Sequence, residues 1–517
     1  MPAATIECKT QPGPAYPPAT GLRLHPPYRF PQATPEPGGP CPSAHGNAPA
    51  LPGRRTFLAQ ALATAGMLSL APGRVFSAAA LLVANVTGLY SIEVARIEAP
   101  VTTQDVSRLV RAWPGKVAVG GGRYSMGGQV ALRGGLHLDM RSMNRLVSLQ
   151  AIDKVVRVQA GMRWRDLQDV LDPLNLAVKT MQSYSNFTVG GSVSVNAHGR
   201  YVGHGPVGNT VRALQLVLAD GSVLEASRAV HAELFSAAIG GYGAVGVITE
   251  VELDLADNVR IERALTRVPL HDYVRHFEQQ VLADPACVLH NADLVPPRFD
   301  SPTATTWRKS DKPLTEPQRL IPRGQRYRIE KTAIWAATEL TSLRRKVIQP
   351  LQAGSHPVLW LNHEASLDVT EIEPLNREHY TYVLQEYFIP KRNFVVFAQG
   401  MASILLRNAV QAINISIRHS PPDGVSLLPW AKEEVFAFVL YYKQETHAAA
   451  QDVVARWTRE LVGLALQHQG RYYLPYQRHA TTEQFNQAYP EAAALRELKR
   501  SVDPLGKLSN ELWAKYL

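Results

Sequence analysis

Cysteine is scarce in this sequence, with three among 517 residues: Cys8, Cys41 and Cys287. The first two lie in an N-terminal segment that we expect to be absent from the mature chain, so one cysteine would remain. A single cysteine cannot form a disulfide within the chain and cannot build a cysteine metal site. We therefore predict no metal, and a fold stabilised by packing and by whatever the native state binds.

Long basic runs and long apolar segments are lacking as well. Residues 1–80 contain six Lys or Arg against two Asp or Glu, so +4 of the net charge of +10 belongs to them. No Lys/Arg run marks the rest as a nucleic-acid surface, and we predict no nucleic-acid partner. Beyond residue 80 no stretch has the ~20 apolar residues that a transmembrane helix needs, so no membrane span is expected.

The N-terminal segment has two parts. Residues 1–52 are rich in Pro, Ala and Gly and cannot bury enough surface to offset ordering, so we expect a disordered leader or a start site placed too far upstream. Residues 53–80 contain Gly53-Arg54-Arg55-Thr56-Phe57-Leu58-Ala59, an apolar run, and then Ser77-Ala78-Ala79-Ala80. This order resembles a twin-arginine export signal. It predicts a protein of the periplasm or cell exterior, either free or associated with a membrane.

Two glycine-rich clusters dominate the middle of the chain. Residues 184–209 combine many glycines with Thr188, Asn196 and His198, a composition that places backbone close to a flat polar ligand. Upstream, Val117-Ala118-Val119 leads directly into Gly120-Gly121-Gly122-Arg123-Tyr124-Ser125. A strand that ends in a glycine loop exposes several N–H groups at once, which suits a diphosphate.

Periodicity divides the chain into two α+β regions and a C-terminal segment. We predict domains at 90–256 and 257–470, followed by a segment at 471–517. In the first domain we predict helices at 103–113, 163–174 and 231–239, strands at 136–140, 154–161 and 245–255, and a hairpin joining 211–219 to 222–226. In the second we predict helices at 270–283, 329–346 and 452–468, and alternating segments at 357–362, 380–389 and 434–442.

The order of the glycine motifs resembles the FAD domain of the vanillyl-alcohol oxidase and p-cresol methylhydroxylase (PCMH) type. The matching segments are 120–129, 136–139, 188–191, 196–199, 208–211, 218–222 and 240–249. Asp503-Pro504-Leu505-Gly506-Lys507-Leu508-Ser509-Asn510 is similar to the closing segment of sugar and aldonolactone oxidases. The resemblance implies an α+β fold: a two-subdomain FAD-binding domain and a substrate (cap) domain, with the C-terminus returning to the flavin domain.

The resemblance also implies a set of FAD-binding residues. Several relatives bond the flavin covalently to a histidine of the first glycine loop, where this chain has Arg123 or Tyr124, so we predict non-covalent FAD. The residues expected to bind it are Gly120, Gly121, Gly122, Arg123, Tyr124, Ser125, Tyr184, Thr188, Gly190, Gly191, Asn196, His198, Gly199, Gly208, Asn209, Val247, Ile248 and Tyr473.

Catalytic candidates also follow from the resemblance. Glu386 matches the strand that lines the substrate cavity in decaprenylphosphoryl-ribose and alditol oxidases. Tyr473 matches a tyrosine near the flavin, whereas the position of the relatives' substrate lysine falls on Tyr476. We therefore predict Glu386, Tyr476, Arg478 and His479 as the groups that bind the substrate hydroxyl or accept its proton. Arg200 is a candidate for contacting an anionic group of the substrate or the diphosphate.

These expectations predict an FAD-dependent enzyme that oxidises a CH–OH group of a sugar, polyol or aldonolactone-like substrate, with oxygen or a membrane carrier as acceptor. Three alternatives are a dehydrogenase that reduces a quinone or cytochrome, a flavin- or sugar-binding protein with lost catalysis, and a nicotinamide dehydrogenase. The last is disfavoured, because residues 126–135 are interrupted by glycine where a dinucleotide-binding loop needs a helix.

Overall fold

The structure is a computed structural model that describes residues 80–325, 331, 356–374 and 376–517. The leader, nearly all of the export segment and nearly all of the helix expected at 329–346 lie outside the described residues, so they stay predictions. Elsewhere helices and strands are mixed along the chain, which confirms the α+β class.

The strands are β1 Leu81–Ala84, β2 Ser91–Val94, β3 Arg96–Glu98, β4 Val117–Gly120, β5 Leu136–Asp139, β6 Leu146–Gln150, β7 Val155–Gln159, β8 Leu176–Val178, β9 Val211–Val217, β10 Val223–Ser227, β11 Val247–Asp257, β12 Arg260–Arg267, β13 Cys287–Leu294, β14 Thr303–Lys309, β15 Val358–Trp360, β16 Tyr380–Pro390, β17 Ala412–Ser420, β18 Val435–Glu445 and β19 Arg471–Tyr472.

The helices are α1 Thr103–Ala112, α2 Trp164–Leu171, α3 Val189–Ser194, α4 Ala232–Ala238, α5 Tyr273–Phe277, α6 Leu361–Ala365, α7 Phe394–Arg407, α8 Ala448–Gln467, α9 Thr482–Ala488, α10 Ala492–Val502 and α11 Trp513–Tyr516. In this part of the chain no helix combines the length and apolar content needed to cross a bilayer.

A three-stranded parallel sheet, in the order β3-β5-β4, carries the first glycine loop at the end of β4. Helix α1 packs beside it through Val106 and Val110, which share an apolar cluster with Val117. The helix begins with a capping box, in which Thr102 and Asp105 each accept a hydrogen bond from the other's backbone N–H. This small layer fixes where the loop starts.

A six-stranded sheet lies in the middle of the first region, in the order β10-β9-β11-β7-β6 with β8 also paired to β11. The predicted hairpin is present: β9 and β10 are antiparallel neighbours, and Gly221 has a φ of 82° in the turn. Strand β11 alternates buried and partly buried residues along 249–256, as its sequence period predicts.

An eight-stranded antiparallel sheet forms the second region, in the order β15-β12-β14-β13-β17-β18-β16-β19. Helix α8 packs on this sheet and buries Trp457 and Leu461 in the main core. On β16, Gln385 and Tyr387 point towards that core: the Gln385 amide donates to Thr458 Oγ1 of α8 at 2.7 Å, and the Tyr387 hydroxyl donates to Gln385 Oε1. Because side chains alternate along a strand, the residues between them face the opposite side.

The C-terminal segment returns to the parallel sheet. Val117 at the start of β4 donates its N–H to the Lys507 carbonyl at 2.8 Å and accepts from the Ser509 N–H at 3.0 Å. Asp503 holds this segment in place by accepting from the Lys507 and Leu508 N–H groups and from Lys499 Nζ. The last residues of the chain are thereby joined to the strand that leads into the first glycine loop.

Two element predictions need correction. The helix expected at 270–283 is helical over 270–282 but not α-helical throughout: it consists of a 3-10 turn at Leu270–Asp272, α5, and a π-helical turn at Glu278–Leu282. The alternating segment at 357–362 is a strand only over β15 and continues as helix α6, where Leu361 and Asn362 are buried. Tertiary packing outweighed local periodicity in both places.

Candidate active site

A cavity of about 240 Å³ lies between the two glycine clusters and the open face of the eight-stranded sheet. It is lined by loop 121–126, by segments 182–198 and 242–248, by cavity-facing residues of the sheet, and by the C-terminal segment through Tyr473, Pro475 and Tyr476. Regions that are far apart in sequence therefore meet at one site.

The two glycine clusters are in direct contact. A Cβ added to Gly121 would lie 2.2 Å from Thr188 Oγ1, and one added to Gly191 would lie 2.7 Å from the same atom. Between them, Arg123 adopts a left-handed backbone with a φ of 61° and pairs with Asp139 at 2.9 Å. Only glycine permits this close approach of the two loops.

Several buried polar atoms at the cavity lack partners. Among the described residues, Thr188 Oγ1, Ser183 Oγ, Arg123 Nε, His198 Nδ1 and Arg418 Nε are buried without a hydrogen bond, and all five residues line this cavity. Buried polar groups are nearly always satisfied, so such a group of atoms indicates a polar ligand with many donors and acceptors. FAD, with a polar ring edge and a diphosphate, fits this lining.

Glu386 lies at the centre of the polar end of the cavity. Its Oε1 is hydrogen-bonded to His198 Nε2, and its Oε2 accepts from the Tyr476 hydroxyl at 3.1 Å. Glu386 and His198 are only 3% and 5% exposed. Burial first, and then the neighbouring Glu386 carboxylate, raise the pKa of Tyr476 well above its ordinary value. Tyr476 therefore remains a protonated donor to the carboxylate.

The backbone around this carboxylate is held by three segments. The Tyr473 N–H donates to the Glu386 carbonyl at 2.9 Å, which extends the short β16–β19 pairing. The Tyr473 hydroxyl donates to the Val195 carbonyl at 2.7 Å, and Trp430 Nε1 donates to the Asn196 carbonyl at 2.8 Å. His198 contacts the Trp430 ring at a centroid distance of 4.9 Å. The His198–Glu386–Tyr476 arrangement is thus fixed from both sides.

Arg418 is a cavity residue that the sequence analysis missed. It lies on β17 and is partly buried, and its guanidinium has a lowered pKa because burial outweighs the attraction of the Glu386 charge. The segment Ala412–Ser420 alternates in burial, which places Asn414, Ser416 and Arg418 on one face. That alternation was the available sequence signal, but the partner strand could not be read from it.

Most of the predicted FAD-binding residues line the cavity: Gly121, Gly122, Arg123, Tyr124, Ser125, Tyr184, Thr188, Gly190, Gly191, His198, Val247, Ile248 and Tyr473. Five others, Gly120, Asn196, Gly199, Gly208 and Asn209, are not among the residues that line it. The binding of FAD by these residues stays a prediction.

The five residues away from the lining have structural contacts instead. A Cβ on Gly120 would lie 2.5 Å from the His137 ring, and one on Gly199 would lie 2.0 Å from the Met181 carbonyl oxygen. Asn196 accepts from the Gly208 N–H at 2.9 Å and donates to Asp423 at 2.8 Å. Asn209 donates to the His204 carbonyl at 3.2 Å. These contacts shape the loops around the site.

Arg478 and His479, predicted as catalytic, lie in a separate cleft rather than on the cavity. Arg478 pairs with Glu511 at 3.3 Å, and His479 Nε2 is hydrogen-bonded to Gln477 Oε1 at 2.8 Å. Burial first, and then nearby cations, lower the pKa of His479 to about 4. The chain turns between Tyr476 and Arg478, so nearness in sequence does not bring these two side chains to Glu386.

Arg200, the candidate for an anionic group, is not among the cavity-lining residues. Its Nη1 pairs with Glu364 Oε1 at 2.7 Å, and both side chains are nearly buried. Burial lowers the pKa of Arg200, but the Glu364 charge and hydrogen bond raise it by more. The guanidinium is therefore occupied by a carboxylate of the protein.

Comparison with known proteins adds the family context. Residues 94–227 match the family described as "FAD binding domain". The chain is 37% identical to L-gulonolactone oxidase of Mus musculus over 150 residues, 29% of this chain and 34% of that protein. It is 29% identical to alditol oxidase of a Streptomyces species over 193 residues, 36% of this chain and 45% of that protein.

A third relative is decaprenylphosphoryl-beta-D-ribose oxidase of Mycolicibacterium smegmatis, 33% identical over 143 residues, 27% of this chain and 31% of that protein. Each match thus spans less than half of the relative's length. These matches confirm the predicted resemblance to PCMH-type FAD oxidases, and the matched residues 94–227 fall within the first predicted domain.

Proposed function

We propose that this protein is an FAD-dependent oxidoreductase that oxidises a CH–OH group of a sugar, polyol or aldonolactone-like substrate. The observation that carries the proposal is the Glu386 carboxylate, held between His198 and Tyr476 in a cavity that is also lined by the glycine loops of the FAD-binding domain. A buried carboxylate with fixed orientation beside a cofactor cavity is suited to accept a proton.

The oxidation removes a hydride from carbon and a proton from the hydroxyl, leaving a carbonyl group. Bound FAD would supply the acceptor for the hydride, since redox chemistry belongs to the cofactor. Each Glu386 oxygen accepts one hydrogen bond within the protein and keeps a further lone pair. We assign proton acceptance to Glu386, and to His198 and Tyr476 the role of holding its carboxylate in one orientation.

We propose that FAD is bound non-covalently. His198 is the one histidine among the described residues that line the cavity, no cysteine lines it, and the His198 ring is already hydrogen-bonded to Glu386. Loop 121–125 places Arg123 and Tyr124 at the cavity. Acid precipitation of the purified yellow protein should release all flavin into the supernatant, and flavin retained in the pellet would contradict this proposal alone.

Export and the electron acceptor are further parts of the proposal. Arg54-Arg55 followed by Phe57-Leu58 supports delivery to the periplasm or cell exterior by the twin-arginine route. Changing both arginines to lysine should trap the protein in the cytoplasm.

Rapid reoxidation of reduced flavin in air would assign an oxidase, and slow reoxidation in air would assign a dehydrogenase that uses a membrane carrier.

The activity is tested by anaerobic titration with sugars, sugar acids, polyols and aldonolactones, following loss of flavin absorbance. We expect at least one class to bleach the wild-type flavin, and Glu386→Gln to slow the bleaching by roughly 10²–10⁴-fold while it retains FAD. Glu378→Gln removes an exposed carboxylate just before the same strand and serves as the control. A flavoprotein bleached by none of these compounds would instead be a binding protein with lost catalysis.

A further inference from the structure

Arg418 is an arginine of β17 that is left unpaired by the part of the chain that the structure describes. Among the described residues its side chain makes no hydrogen bond or ion pair, and its Nε is buried without a partner. A partly buried cation whose Nε is cut off from water destabilises the fold unless something compensates for it. Because Arg418 lines the cavity, a ligand in the cavity can provide that compensation.

Three carboxylates of this part of the protein are each bound to a group other than Arg418. Glu386 is hydrogen-bonded to His198 and Tyr476. Glu364 is paired with Arg200. Asp293 accepts from the Asn414 amide at 3.0 Å, and burial raises its pKa, which favours the neutral acid. None of these carboxylates forms an ion pair with Arg418, and the Glu386 charge offsets the burial of the guanidinium only in part.

Strand register places this charge on the same side of the sheet as the catalytic carboxylate. Glu386 of β16 is opposite Val439 of β18, which is opposite Ser416 of β17. Arg418 lies two residues along β17 from Ser416, so it shares the face of Glu386. Glu386, Val439 and Arg418 all line the cavity. A substrate held at Glu386 therefore has the guanidinium within the same pocket.

We propose that the substrate is a sugar acid, an aldonate or a uronate, whose carboxylate is bound by Arg418 while its hydroxyl is presented to Glu386; this rests on the proposed function. A guanidinium is planar and binds a carboxylate through two parallel N–H···O bonds, which orient the ligand as well as hold it. Arg418 is a substrate-binding residue that selects for charge.

The test compares matched acidic and neutral compounds on the FAD-loaded wild-type protein at fixed pH: D-gluconate against D-glucitol, and D-glucuronate against D-glucose. Anaerobic flavin bleaching and calorimetric binding are both measured. We expect the acid of a pair to bind or reduce at least about 10-fold better than its neutral counterpart, because a hydrogen-bonded charge pair is lost in the latter.

Two variants separate the role of Arg418 from loss of folding. Arg418→Gln should weaken binding of the acid by about 10- to 100-fold and leave the neutral compound within about threefold. Arg418→Lys keeps the charge but not the planar pair, and should fall between wild type and Arg418→Gln. Arg407→Gln, which removes an exposed arginine at the end of α7 that pairs with Glu460, is the matched control and should behave as wild type.

Three results are distinguishable. Preference for the acid that disappears in Arg418→Gln supports the inference. Equal or better use of the neutral compounds by wild type overturns it and leaves the proposed oxidation intact, whatever the variants do. A wild-type flavin that no compound bleaches, with no calorimetric binding, overturns the proposed function and the inference together.

Discussion

Removing the Tyr476 hydroxyl tests the contribution of one of the two hydrogen bonds that orient Glu386. Tyr476→Phe deletes the 3.1 Å bond to Glu386 Oε2 but keeps the ring, whose centroid lies 5.8 Å from that of Tyr473. A hydrogen bond to a charged group contributes about 1.5–3 kcal/mol, so a carboxylate that has lost it should react about 10- to 100-fold more slowly. Binding of FAD should be unchanged.

The assay is the rate of anaerobic flavin reduction by saturating substrate in a stopped-flow instrument. Tyr473→Phe is the matched control, because it deletes an equally buried hydroxyl that donates to the Val195 carbonyl rather than to the carboxylate. We expect Tyr473→Phe to lower thermal stability, since a backbone acceptor is left unsatisfied, and to change the reduction rate less than Tyr476→Phe. The proposed role of the hydroxyl would be refuted if the Tyr476→Phe variant reduced its flavin at the wild-type rate, or if both variants lost the same fraction of that rate.

Two further predictions concern stability. The pKa of His479 is lowered from 6.5 to about 4, so between these pH values the unfolded chain binds a proton that the folded chain does not. The free energy of unfolding should therefore fall as the pH drops from 6.5 to 4. In denaturant titrations, His479→Gln should show a smaller fall than the wild type, by roughly 3 kcal/mol at pH 4, and should retain flavin reduction at pH 7. Asp503→Asn should destabilise the protein by about 3–5 kcal/mol and weaken FAD binding, because it breaks the ion pair with Lys499, in which Asp503 is only 2% exposed. Asp257→Asn breaks the exposed pair with Lys154 and should change neither stability nor FAD binding.

Local patterns predicted the elements well where one face of an element is buried. The alternation in 380–389 and 434–442 corresponds to β16 and β18, and the predicted helix at 103–113 ends within a residue of α1. At 270–283 the sequence predicted a helix but not its type, which changes from 3-10 to α to π along 270–282. The sequence pattern also did not predict the strand order of the eight-stranded sheet, because periodicity does not specify which strands pair.

Part of the candidate site could be predicted from the sequence, because some of its residues lie in recognisable motifs. Glu386 and Tyr476 were found through motif resemblance, but the contact between Glu386 and His198 joins residues that are 188 apart in sequence. Arg418 was missed because its approach to the cavity depends on which strands flank β17. Arg478 and His479 were included because they lie two and three residues after Tyr476, although the chain turns away there and places them in another cleft.

The joining of Lys507 and Ser509 to Val117 bears on the order of events during biosynthesis. As the ribosome releases the polypeptide from its N-terminus onward, β4 and its loop emerge long before the residues that hold them. The nascent chain cannot join β4 to its partner segment until residues 507–509 have been synthesised, so we expect FAD to bind only after that point. A premature stop shortly before residue 507 should therefore yield a colourless product, even though residues 94–227 would be intact.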